Sequence, residues 1–163
     1  MTKYRVTRMP DQQFALTGCV MVSRDEFGES KRHFRLTNTS TNKSIVYTGI
    51  GQTKIDTKQI GLSGVQREHL RLAEGEDVEV VPFTPDRTST LTMVKIEIDF
   101  YQKTNIKKQF DADAMVKDIQ QMFSGTIFAV GHQLPYKFEQ SPFFRIHVKG
   151  QLHLSFELDR INY

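Results

Sequence analysis

The chain has 163 residues, 38% of them hydrophobic and 25% charged, with twelve Phe and no Trp. That length suits one compact domain or two small ones sharing an interface, and it can bury roughly two thirds of the unfolded surface, which excludes disorder, collagen and coiled coil as the main architecture. Lys and Arg number 22 against 19 Asp and Glu, a net charge of +3 that is too small to indicate nucleic acid or an anionic membrane, so any basic site must be local. A single cysteine, Cys19, makes no internal disulfide and favours a reducing compartment. The first residues, Met1 to Arg8, lack an apolar core of a signal, and there is no apolar run of about eighteen residues, so neither secretion nor membrane spanning is expected.

The first eighty or so residues read as short strands divided by turn chemistry. Strands are predicted at Tyr4 to Met9, Phe14 to Val22, His33 to Leu36, Ser44 to Tyr47 and Asp77 to Phe83, all rich in Val, Ile, Phe and Tyr. Asp25-Glu26-Phe27-Gly28 and Asn38 to Lys43 read as turns or loops, and Gly49-Ile50-Gly51 as a glycine turn. Asn38-Thr39-Ser40 and Asn42-Lys43-Ser44 match the glycosylation pattern but read as ordinary loop residues. Short strands at close spacing predict a small barrel, because closing the sheet removes exposed edges. Gly64 to Leu72 is the exception, a short helix anchored by Val65, Leu70 and Leu72.

Pro82 to Thr90, with two prolines and a polar run, is the expected boundary. It divides the chain into a barrel over residues 1–83, a linker over 84–90 and an α/β unit over 91–163. Thr92 to Tyr101 alternates as a half-buried strand should, with Val94, Ile96, Ile98 and Phe100 on one face. A loop from Gln102 to Phe110 leads to a helix from about Ala112 to Ser124, capped by Asp111 or Asp113, with Gly125 just past its end. Met115, Ile119, Met122 and Phe123 supply its apolar face. Strands follow at Ile127 to Val130 and Leu134 to Glu139. A final hairpin is predicted with Lys149-Gly150-Gln151 as its loop, which puts Phe144, Ile146 and Val148 on the buried side against Leu152, Leu154 and Phe156.

Catalytic motifs are missing. The chain has no phosphate loop, since Gly49-Ile50-Gly51 lacks the lysine and hydroxyl that must follow, and it has no G-x-S-x-G elbow. Cys19 sits in the apolar run Leu16 to Val22 and reads as an inert packed thiol. The five histidines are scattered, and His147 with His153, cross-strand neighbours in the predicted hairpin, read as surface residues before they read as metal ligands. Basic charge in particular places remains. Gln102 to Gln109 carries Lys103, Lys107 and Lys108 with no acid between Asp99 and Asp111, the short helix adds Arg67 and Arg71, and the first strand adds Arg5 and Arg8. Most such charges are solvated faces. If the 102–109 loop lies beside the barrel, however, Arg8, Arg67 and Lys103 line one groove that holds an acidic partner.

Several stretches carry a resemblance. They are Lys95-Ile96-Glu97-Ile98-Asp99-Phe100-Tyr101-Gln102-Lys103-Thr104-Asn105-Ile106, Phe110-Asp111-Ala112-Asp113, Ile119-Gln120-Gln121-Met122-Phe123, and Phe128-Ala129-Val130-Gly131-His132-Gln133-Leu134, with Gln66-Arg67 and Gly75-Glu76-Asp77-Val78-Glu79-Val80 before them. The sequence resembles the amino-terminal domain of N-ethylmaleimide-sensitive factor, the AAA+ ATPase family that disassembles SNARE complexes in vesicle fusion. The likeness runs over about residues 5 to 150 and is stronger after Leu91 than before Tyr47. It implies a double-psi β-barrel followed by a smaller α/β subdomain, and a groove between them where soluble attachment proteins (SNAP adaptors) dock through acidic carboxy-terminal surfaces. The family's basic groove positions fall on Arg8, Arg67 and Lys103-Thr104. Animal members have two lysines at that pair, so one charge is missing here; either Lys107 or Lys108 supplies it or adaptor binding is weaker.

The resemblance further implies a non-catalytic adaptor-binding role in which ATP and Mg belong to ATPase modules absent from these 163 residues, and no cofactor is bound by the chain itself. The expected partners are SNAP adaptors and the SNARE complex. The chain is expected to be cytoplasmic, reaching vesicle and Golgi membranes only through partners, and monomeric alone where the whole family protein is hexameric. Beyond the stretch matching Phe144 to Lys149, residues Leu152 to Leu158 depart from the family pattern. The competing expectation keeps the fold and changes the partner: related amino-terminal domains of valosin-containing protein bind ubiquitin-pathway adaptors. A barrel enzyme or RNA binder is disfavoured by the missing catalytic groups and by the lack of basic residues interleaved with aromatics.

Overall fold

The computed structural model describes residues 2–86, 94–102 and 109–151. Six strands close a barrel: β1 (Thr2–Arg8), β2 (Val20–Ser23), β3 (Arg32–Asn38), β4 (Lys43–Gln52), β5 (Gln59–Leu62) and β6 (Asp77–Phe83), ordered β1-β5-β2-β4-β3-β6. β1 runs parallel to β5 and β2 parallel to β4, while every other neighbouring pair is antiparallel. The fold is mostly β, a double-psi β-barrel joined to a smaller α/β part, as expected. Inward residues are the alternating apolar ones, among them Val6, Val22, Leu36, Tyr47, Ile60 and Val80. Pro82 is tolerated in β6 because residues 81–83 pair only with β3, so no second neighbour needs its missing N–H.

Three expectations for this half are corrected. Phe14 to Val22 is not one strand: Asp11 accepts from the Gln13 N–H to start a 3-10 turn over Gln12–Thr17, and Gly18, at φ 69°, ends it before β2 begins. Asp25 to Gly28 is a single helical turn, α1 (Arg24–Phe27). Gly49-Ile50-Gly51 is not a turn but the middle of a strand, with Gly49 opposite Val20 and Arg32. Its glycines answer to packing, since a Cβ on Gly49 would lie 2.6 Å from the Phe34 ring and one on Gly51 would meet the Gly28 carbonyl. Strand β5 was not anticipated. The short helix is present as α2 (Gly64–Leu70), opened by a reciprocal capping box between Ser63 and Gln66.

The second part is a sheet ordered β7-β9-β8, from β7 (Val94–Phe100), β8 (Gln133–Lys137) and β9 (Phe143–Gln151), packed against α3 (Ala112–Met122). Asp111, rather than Asp113, caps α3, accepting from the Ala114 N–H at 3.1 Å. Met115, Ile119 and Phe123 are buried, whereas Met122 turns out to solvent. Ile127 to Val130 forms no strand; the chain turns there, with the His132 N–H reaching the Ala129 carbonyl and Gly131 at φ 87°. The predicted loop Lys149-Gly150-Gln151 is also overturned, because β9 continues through it, pairing Gly150 with Lys95 and Gln151 with Val94. Phe144, Ile146 and Val148 do share the buried face, but their partners are Phe100, Ile98 and Ile96 of β7. The expected partner strand and His153 lie outside the described residues. β6 ends at Phe83, and the second half of the expected linker is likewise outside them.

Candidate functional site

Where the barrel meets the three-stranded sheet, a cleft of about 960 Å³ opens. The end of β1, the 3-10 turn and α2 line it from the barrel, and the residues after β7, β8 and the start of β9 from the sheet. Arg8 and Arg67, far apart in the sequence, both line it, as do Tyr101, Gln102, Lys137 and Phe143. Arg5 and Arg71 are not among its lining residues; Arg71 instead takes the left-handed position that ends α2. Lys103, Lys107 and Lys108 lie outside the described residues, though Lys103 directly follows the cleft residue Gln102.

The two arginines are differently placed. Arg8 is 77% exposed along its side chain and is held by Glu74, Nε to carboxylate 2.6 Å. Arg67 is half-buried and has no carboxylate within 4 Å among the described residues, and its Nε is shielded from water without a partner. A guanidinium that has lost part of its hydration and gained no counter-charge is a strong donor site for an incoming carboxylate. The α2 capping box turns Arg67 outward: Gln66, on the inner side, donates to the Gly18 and Cys19 carbonyls.

Lys137, Tyr101 and Phe143 were not anticipated as site residues. Lys137 stands over the Phe143 ring at 5.2 Å, and Arg145 over the Tyr101 ring at 4.9 Å. They form no charge run, being single residues of separate segments brought together only by the pairing of β9 with both β7 and β8.

A second feature at the junction is a buried polar seam. His132, 1% exposed, stacks on Tyr47 at 4.8 Å and 7° between planes, and His69 meets its edge. The Tyr47 hydroxyl lies 3.3 Å from His69 Nδ1. Burial, then the neighbouring His69, holds the His132 pKa down to about 4, against a Val46 backbone contact acting the other way. Burial, then the charges of Lys43 and His147, holds His69 to about 4 as well. Both rings are therefore neutral at pH 7. Nearby, Thr48 Oγ1 accepts from the Ile127 N–H at 2.8 Å and sits 3.0 Å from His33 Nδ1. Cys19 is buried, and burial pushes its thiol up, as suits an inert packed residue. Among the described residues there is no group of His, Cys, Asp and Glu able to hold a metal ion.

Nearly the whole chain matches known proteins. It is 24% identical over 155 residues to a vesicle-fusing ATPase of Arabidopsis thaliana and 23% identical over 156 residues to one of Caenorhabditis elegans, covering 91% and 94% of this chain. The chain is similar to the vesicle-fusing ATPases. It spans about a fifth of the length of these relatives, 21% and 19%. No family model matches. Among the described residues no helix is long and apolar enough to cross a membrane.

Proposed function

We propose that this chain is the adaptor-binding amino-terminal domain of a vesicle-fusing ATPase, a non-catalytic module with a barrel over residues 1–83, a linker over 84–90 and an α/β unit over 91–163. It holds SNAP–SNARE complexes in the cleft while ATPase modules outside these residues supply the work. The observation that carries the reading is that Arg8 and Arg67, 59 positions apart by their numbers, line one cleft between barrel and sheet, in a chain similar to vesicle-fusing ATPases over nine tenths of its length. Arg67 is the principal anchor because its charge is uncompensated, and Arg8 contributes less because Glu74 already pairs with it. Lys103 extends the basic wall, with Lys107 or Lys108 standing in for the charge missing at Thr104. The chain binds no cofactor of its own and is monomeric alone. It works in the cytoplasm and reaches vesicle and Golgi membranes through its partners. A valosin-containing-protein-like partner is not favoured, since the similar proteins are vesicle-fusing ATPases.

The test is a pull-down of a SNAP–SNARE complex at low salt. Arg67→Glu should abolish capture while leaving the melting temperature unchanged. Capture equal to that of the unaltered chain overturns the groove assignment, and no capture by the unaltered chain overturns the function.

A further inference from the structure

Tyr101 differs from the other described tyrosines in what its hydroxyl is free to do. Tyr4, Tyr47 and Tyr136 are buried, and the hydroxyls of the last two already meet partners, His69 Nδ1 at 3.3 Å and the Asp118 carboxylate at 2.8 Å. Tyr101 is 39% exposed, beside Phe143 at 48%, and sits just past the end of β7. Its N–H donates to the Phe143 carbonyl at 2.8 Å, so the backbone is pinned while the ring stays at the surface. Arg145 stands over that ring, and its ion pair with the exposed Glu68, at 3.7 Å, is a weak one. The cleft that Tyr101 lines also holds Arg8, Arg67 and Lys137, and neither Arg67 nor Lys137 has a carboxylate within 4 Å among the described residues. An accessible phenol among unpaired cations is a place where one added anion finds both entry and partners.

We propose that Tyr101 is a modification site, phosphorylated on its hydroxyl by a tyrosine kinase, and that the phosphate closes the cleft by occupying its cations. In that step the tyrosine oxygen bonds to the γ-phosphorus of ATP as the bond to ADP breaks, and the phenolic proton passes to the kinase's base. Hydrolysis by a phosphatase reverses it. The phosphate carries a charge of about −1.5 to −2 at pH 7 and three acceptor oxygens, which pair best with guanidinium groups. Arg67 and Arg145 offer two, one uncompensated and one weakly paired. The consequence for a partner rests on the adaptor-docking reading: an acidic surface then meets repulsion where it had met attraction. No movement of barrel against sheet is required.

The test starts from the full chain treated with a broad-specificity tyrosine kinase, ATP and magnesium, the phosphorylated form being separated by anion exchange and mapped by mass spectrometry. Phosphate should be found at Tyr101 and be missing from Tyr4, Tyr47 and Tyr136, which are buried in the folded chain. A folded chain that takes no phosphate at Tyr101 overturns the inference. Phosphorus NMR then follows the second ionisation of the phosphate, which has a pKa of about 6 without partners. Neighbouring cations favour the dianion, so the folded chain should ionise at lower pH than the same chain in urea. A folded value equal to or above the urea value places the phosphate away from the cations and overturns the closing of the cleft.

Binding supplies the last two readouts. Anisotropy of a labelled peptide of alternating Asp and Glu should show roughly tenfold weaker binding to the phosphorylated chain at low salt, with a flatter salt dependence. Equal binding to both forms, or binding to neither, overturns the inference. In SNAP–SNARE capture the ratio of kinase-treated to untreated chain should fall about tenfold, and it should stay at one for Tyr101→Phe, which keeps a ring under Arg145 and has no hydroxyl to modify. An equal fall in Tyr101→Phe assigns the effect to another residue and overturns the inference. Full capture by the phosphorylated chain sinks the switch and leaves the adaptor reading standing. No capture by the untreated chain removes the adaptor reading, and the phosphate site then stands or falls by the mapping, the NMR and the peptide.

Discussion

Helix α2 belongs to both parts of the barrel–sheet junction, and the two parts are built on opposite physical terms. Arg67 and His69 stand two residues apart, about 200° around a helix that turns roughly 100° per residue. Arg67 gives its charge to an open cleft, and His69 enters a dry seam with Tyr47 and His132. In the seam, the Ile127 N–H is paired with Thr48, the His132 ring is stacked on Tyr47 with its buried Nε2 unpartnered, and the histidines are kept neutral by burial. In the cleft, charge is left in excess and two aromatic rings stay exposed. The difference teaches how a binding surface is kept ready: the seam fixes barrel and sheet relative to each other, so the cleft does not have to be assembled when a partner arrives.

The comparison breaks most readily at His132. His132→Ala removes a buried stacked ring and should cost about 3 kcal/mol of stability, a value typical of truncating a packed aromatic. Urea unfolding followed by far-UV circular dichroism measures it. A cost below about 1 kcal/mol would show that the seam does not hold the two parts together. Peptide binding in the cleft should weaken in the same variant, although no cleft residue has changed.

Acid should open the seam next. The folded pKa of His132, about 4, lies below the unfolded value of about 6.5. The unfolded chain therefore takes up a proton between these values that the folded chain refuses, and the stability is present above pH 6.5 and lost as pH falls towards 4. For this ring alone the loss is about 2 kcal/mol at pH 5. His69, held to about 4 as well, adds a loss in the same direction. His132→Phe keeps a ring on Tyr47 and removes the titration, so its stability should change less between pH 7 and 5 than that of the unaltered chain. Parallel pH profiles would place the acid sensitivity elsewhere.

A milder break is Thr48→Val, which keeps the side-chain shape and removes the oxygen that accepts from Ile127 N–H. The orphaned amide should cost about 1 to 2 kcal/mol. Hydrogen exchange at Ile127 should quicken relative to the amides of β4, and unchanged protection there would contradict the assignment.

What could be foreseen from the residues divides along the same junction. The alternation Val94-Lys95-Ile96-Glu97-Ile98 determines its own strand, and Asp111 its own helix cap, because both effects are local. Gly49 and Gly51 misled because their reason is a close approach from elsewhere in the fold, the Phe34 ring and the Gly28 carbonyl. β5 was missed for a similar reason: Gln59-Ile60-Gly61-Leu62 is short and becomes a strand between two partners, β1 and β2. Arg8 and Arg67 could be named beforehand through the family resemblance, whereas Lys137, Tyr101 and Phe143 needed the register of β7, β8 and β9. The seam was not legible at all, since neutral histidines and a threonine carry no pattern until burial brings them together.

The smallest expected effect tests whether seam and cleft are as separate as they look. Glu68, one residue from each of their α2 contributors, pairs with Arg145 at 3.7 Å but is 66% exposed, and such pairs contribute about 0 to 1 kcal/mol. Glu68→Gln should therefore move the unfolding midpoint little. It also removes a negative charge beside the arginine that lies over Tyr101. An acidic peptide should then bind somewhat more tightly, by less than about threefold, with a steeper salt dependence, because one more cation is left for the ligand. A stability loss above about 1 kcal/mol would mean that Glu68 fastens the two parts together and belongs to the seam. Unchanged stability with tighter binding places it on the cleft side and makes it a brake on the charge that Arg145 presents from β9.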